Sequence, residues 1–141
     1  WHYLEHDYHP DQTLQKLSDR SKGDTLLFIE VPNYDSLSRV KYGAKWAGWH
    51  TPRHTFLYQP SSITSLLNRS GWEVVSIESK GTLNDYALYW MSEMEQRGID
   101  WSQNLENEFW GFVKGMMIHK AKNILPSQRS HGVMLVIARR R

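Results

Sequence analysis

Apolar and polar positions alternate along the chain in two periods. Leu26, Leu27, Phe28, Ile29 and Val31 form a short apolar run with one charge, Glu30, inside it, and Pro32-Asn33 follow. That pattern predicts a strand over 25–31. Trp72 to Ser79, rich in β-branched residues, predicts a second strand. Gly132 to Ala138 is almost wholly apolar and predicts a third, buried on both faces in mid-sheet. Helical spacing recurs between them. Pro10 suits the first turn of a helix carrying Leu14 and Leu17, which Lys22-Gly23 stops. Asp35 to Tyr42 predicts a short helix, with Asp35 as cap and Leu37 and Val40 inward. Pro60 opens a helix with Ile63, Leu66 and Leu67 on one face. Leu83 to Gln96, with Leu83, Ala87, Trp90, Met91 and Met94 on or near one face, and Leu105 to Leu125 are helical in pattern, closed by Gly98 and Pro126, and the Met and aromatic stripe of 105–125 predicts burial. Trp1 to His9 reads as a strand end running into a loop, and Arg139 to Arg141 as a solvated tail. Strands alternating with helices predict an α/β sheet.

Composition changes this picture little. One domain is expected of 141 residues, and a net charge of +2 does not point to nucleic acid. Seven Trp and seven Tyr suggest a pocket wall as well as a core. The absence of Cys excludes disulfides and thiolate metal sites and fits a reducing, cytoplasmic setting. No apolar run approaches the ~20 residues of a membrane span.

The candidate chemistry lies after the first strand. Asn33, Trp46, Trp49, His50, Arg53 and His54 crowd the segment that follows it. Open α/β sheets build sites at the carboxyl ends of their strands. A second cluster, His2, Glu5, His6 and His9, opens the chain.

Several runs, in order, resemble the carboxyl-terminal half of class I SAM-dependent methyltransferases that share L-E-H and P-R-H motifs. They are Tyr3-Leu4-Glu5-His6 with Pro10 beyond, and Lys22-Gly23-Asp24 leading through 25–31 to Pro32-Asn33. Trp46-Ala47-Gly48-Trp49, Pro52-Arg53-His54 and Pro60-Ser61-Ser62-Ile63 through Gly71-Trp72 continue the likeness. Asp24 stands where a second Gly is usual. The resemblance covers roughly the first 80 residues and the final strand.

The resemblance implies a Rossmann-like sheet of order 3-2-1-4-5-7-6, of which this chain supplies strands five, six and seven. Residues 132–138 then run antiparallel between 25–31 and 72–79. The chain reads as a single domain, 1–141, with 82–126 a helical insertion between the last two strands. S-adenosylmethionine is the implied cofactor, with Trp1 and His2 on the donor side. No G-x-G-x-G run occurs, so the fragment by itself is expected to be inactive and to bind the donor poorly.

The implied catalytic residues are His54, Glu5 and His6, with His54 as base. Arg53, Trp46, Trp49 and Asn33 are the implied acceptor contacts, for a sugar, quinone-like or lipid-linked small molecule. Some relatives hold a divalent ion with an E-x-x-E-H run; here His2 replaces the first carboxylate, and no metal is assigned. The alternative is a non-enzymatic module, either helical or a metal binder using His2, Glu5, His6 and His9. The strand 25–31, lacking a neighbour on one side, is expected to support self-association.

Overall fold

The computed structural model describes residues 1–84, 86–100, 102, 105–122 and 131–141. Among them stand five α-helices and one three-stranded sheet. In chain order these are α1 (Pro10–Arg20), β1 (Leu26–Pro32), α2 (Leu37–Tyr42), α3 (Pro60–Arg69), β2 (Trp72–Glu78), α4 (Ala87–Arg97), α5 (Leu105–Lys122) and β3 (Val133–Arg140). Short 3-10 turns occupy Leu4–His6, Gly43–Lys45 and Ala47–Trp49.

The sheet order is β1-β3-β2, with β3 antiparallel to both neighbours. Val136 faces Ile29 on one side and Ile77 on the other. The middle strand is thus the most apolar one, as expected of a strand whose backbone is paired on both sides. Val133, Met134, Val136 and Ala138 are buried. A register shift between Val74 and Ser76 leaves Val75 out on the surface.

One core lies between the sheet and α1 and α3, built from Leu4, Leu14, Ile63, Leu66, Leu67 and Trp72 with Ile29, Val31 and Val136. The Trp72 indole N–H donates to the Leu14 carbonyl at 3.0 Å, tying α1 to β2. A second, smaller core gathers Trp46, Leu88 and Val133 with Tyr34, Tyr42, Trp49 and Met91 around them. It clamps the segment after α2 against α4.

Several expectations need correction. Residues 1–9 hold a 3-10 turn rather than a strand end, because the Asp7 and His6 N–H groups fold back onto the Leu4 and Tyr3 carbonyls. Ser36, not Asp35, caps α2: its side chain accepts from the Arg39 N–H at 3.2 Å. The helix starts at Leu37, and Val40, expected inward, faces out, 57% exposed. The α4 helix begins at Ala87, leaving Leu83 outside it. The helix expected over 105–125 is observed to Lys122, and Pro126 lies outside the described residues. None of the described side chains of α5 is buried: Phe109, Phe112, Val113 and Met116 share one face, but Phe112, Val113 and Met116 are only partly covered, and Phe109, Trp110 and Met117 are exposed. Arg139 and Arg140 belong to β3, and the Arg139 guanidinium meets Glu73 at 3.0 Å, so they are no free tail.

Candidate functional site

The site is assembled from two segments far apart in sequence. The 3-10 turn Leu4–His6 brings Glu5 and His6 beside β1. The segment 50–56 crosses it: the Thr55 and Phe56 N–H groups both donate to the Glu5 carbonyl, at 2.8 and 3.2 Å. The Thr55 hydroxyl adds bonds to the Glu5 and Asp7 carbonyls. These bonds bring His54 over His6, with ring centroids 4.8 Å apart at a steep angle.

The His6 Nδ1 lies 3.0 Å from the Arg53 carbonyl, and the His54 Nδ1 lies 2.8 Å from the Gly48 carbonyl. A carbonyl only accepts, so in both rings Nδ1 carries the proton of that bond, and Nε2 lies on the other side of the ring. Gly48 is required for this: a Cβ there would run into the Trp46 indole. One ligand atom each from Glu5, His6 and His54 lies within 4.8 Å of the others.

Burial is the largest cause holding His54 below its ordinary 6.5; the Gly48 carbonyl works against it. His50, ring centroid 5.0 Å from His54, is also held down, by burial first and then by Arg53 and His6. It adopts a left-handed backbone, φ +39, at the end of the turn Ala47–Trp49, a conformation costly for a residue other than Gly. Both rings are thus neutral, basic imidazoles near pH 7.

Glu5 is 1% exposed. Its Oε1 takes the His2 Nδ1 at 3.3 Å, and its Oε2 has no hydrogen-bond partner. The His2 Nε2 reaches the other way, to the Glu30 Oε1 at 3.2 Å. The bond to Glu5 is the largest cause raising the His2 pKa above 6.5. Burial alone would raise Glu30, but the Thr82 and Leu83 N–H groups, at 2.7 and 3.2 Å, bring it below its ordinary value. A chain of polar contacts therefore runs from the 82–83 turn through Glu30 and His2 to Glu5.

The remaining residues named in the sequence are placed as follows. Arg53 is exposed, beside His50. Trp46 is 1% exposed and its indole N–H donates to the Ser38 hydroxyl at 3.0 Å, so it packs the loop onto the body. Trp49 donates to the Gly43 carbonyl at 2.9 Å and lines a cleft with Lys45, His50, Thr51 and Glu95. Asn33 is buried, and its side chain accepts from the Asp35 N–H at 2.9 Å. Trp1 is exposed and borders an apolar groove with Tyr3, Leu4, Phe28 and Ile29. His9 is exposed at the start of α1 and is not one of the grouped ligands. Sequence reasoning did not single out the role of Glu30; the signal was a charge inside an apolar strand, which must find partners when buried.

No curated protein matches the chain. A family model described as a methyltransferase domain matches residues 1–77, from the Glu5-His6 turn through α3 and nearly all of β2. Members of that family generally use S-adenosylmethionine. In the groove beside β1, Trp1, Tyr3 and Phe28 can cover an aromatic group, but the charged side chains there, His2 and Glu30, are bonded to each other. The described residues thus fit at most one wall of a donor pocket. With its matched segment spanning more than half of the sequence and carrying Glu5, His6 and His54 together, the chain belongs to the methyltransferase-domain family.

Proposed function

We propose that residues 1–141 are the carboxyl-terminal portion of a class I, SAM-dependent methyltransferase of the L-E-H and P-R-H group. Its sheet is one flank of a Rossmann-like fold, and 82–126 is a helical insertion. The order β1-β3-β2, with its antiparallel middle strand, supports this reading. The acceptor is a small molecule: a sugar, a quinone-like ring or a lipid-linked group.

The observation that carries the proposal is the meeting of Glu5 and His6 with His54 inside the matched segment. The donor supplies an electrophilic methyl group. The acceptor must lose a proton as the methyl arrives, and His54 Nε2 takes it, its Nδ1–H held by Gly48. His6 stands beside it, its Nδ1–H likewise given to a backbone carbonyl, that of Arg53. The buried Glu5 carboxylate favours the imidazolium that forms. Arg53 and Trp49 border the acceptor side, while Trp46 and Asn33 hold the loop in shape.

The described residues offer at most one wall of a donor pocket, and residues 1–141 by themselves should not turn over. The test is methyl transfer by the complete protein against its His54→Gln variant, which keeps the ring's place but removes the base.

A further inference from the structure

The geometry points to a binding site for one divalent transition-metal ion, of the zinc, cobalt(II) and nickel(II) class, formed by Glu5, His6 and His54. It goes beyond the methyl-transfer reading and is tested without it; the ion and the proton-accepting role compete for the His54 Nε2 lone pair, so His54 serves as base only in the ion-free chain. Three independent features converge on these residues.

The first is grouping. One ligand atom from each of the three lies within 4.8 Å of the others. Ligands about 2.1 Å from a tetrahedral ion stand about 3.4 Å apart, so side-chain rotations of about an ångström close the set.

The second is orientation. Both imidazoles donate Nδ1–H to backbone carbonyls, His6 to Arg53 and His54 to Gly48. Metal-bound histidines are held in just this way, through the ring nitrogen that does not coordinate. The carbonyls are fixed in turn, since Thr55 and Phe56 tie the segment to Glu5. The Nε2 atoms are therefore preset rather than free to wander.

The third is an unmet need. Glu5 Oε2 is buried and unpartnered, while Oε1 is occupied by His2. A buried carboxylate oxygen without a donor is costly, and a cation satisfies it. The His2 contact is then the outer bond that orients a ligating carboxylate.

The donor set selects the ion. Two imidazoles and one carboxylate suit zinc and its neighbours, whereas magnesium and calcium prefer oxygen throughout. Three protein ligands leave a position open, as in ions that act on a bound oxygen. The set differs from the one the sequence offers within its first nine residues. His2 is engaged by two carboxylates and His9 stands apart, and the third ligand comes from position 54 instead.

The test is cobalt(II) titration of the full chain, read by visible absorption, with zinc calorimetry beside it. One ion per chain is expected, with the ligand-field bands of a low-coordinate site, and excess magnesium should not displace it. His54→Ala and Glu5→Gln should each weaken binding at least about tenfold, and His9→Ala should not. Should Glu5→Gln fail to fold by circular dichroism, His54→Ala decides alone, since residue 54 is only half-buried. Absence of cobalt and zinc binding in the wild type would overturn the site. So would binding unchanged in His54→Ala, or lost equally in His9→Ala. None of these readouts uses methyl transfer, so the site's failure is separable from that of the proposed activity.

Discussion

Glu5 and Glu30 are buried carboxylates that share one partner. His2 spans them, and its removal leaves the Glu5 Oε1 without a donor, while the Glu30 Oε1 keeps the Leu83 N–H. His2→Ala is expected to lower stability by roughly 1–3 kcal/mol, the usual result of orphaning buried polar groups. The pH dependence has a definite sign. The folded pKa of His2 is raised above 6.5, so its contribution is full below 6.5 and is lost as pH rises through the folded value. Denaturant unfolding should show the largest gap between wild type and His2→Ala in acid and a shrinking gap in base. An equal gap at all pH values would mean that His2 acts by packing alone. Glu5, His6 and His54 were legible in the sequence through the motifs they sit in. Their meeting was not, because it depends on the 55–56 crossing. The His2 bridge to Glu30 joins residues 28 apart and leaves no local periodicity to read.

Among the elements, the segment from Gly43 to Tyr58 decides the site's shape. Trp46 is its anchor: the indole is buried, bonded to Ser38, and packed over Gly48, whose carbonyl holds His54. The Ala47 N–H is taken by the Ser92 hydroxyl of α4 at 2.9 Å. Trp46→Ala should therefore cost about 3–5 kcal/mol in thermal or denaturant unfolding, the range for an emptied core aromatic. Near-neutral stability with impaired ligand binding would instead make Trp46 a contact wall. The strands and the helices opened by Pro10 and Pro60 were readable because period and capping agree there. The start of α2 was not, because Ser36 and Asp35 are both good caps and only the fold chooses between them. The Met and aromatic residues of α5 were misjudged as core. Helical spacing shows which residues share a face, not whether anything covers it.

Across the whole molecule, the sheet has an uneven boundary. β1 is an edge strand that exposes Leu26 and Phe28, 50% and 41%. Along its outer side the His2 N–H donates to the Glu30 carbonyl at 2.9 Å. Open edges of apolar strands recruit further strands. Chain 1–141 is expected to self-associate through 25–31, with light scattering rising above monomer mass as concentration increases. A Phe28→Lys variant, charged at the edge, should stay monomeric. Wild-type chains that remain monomers at high concentration would show the edge to be protected. Among the described residues, no helix is long and apolar enough to cross a membrane.

The most direct measurement is turnover of labelled S-adenosylmethionine by the complete protein against a panel of hydroxylated small molecules. Methyl transfer is expected in the wild type and about a hundredfold less or lower in His54→Gln, the usual contribution of a positioned base. Turnover unaffected by His54→Gln would remove the ring from the chemistry. A complete protein that neither binds nor consumes the donor would contradict the proposed activity itself.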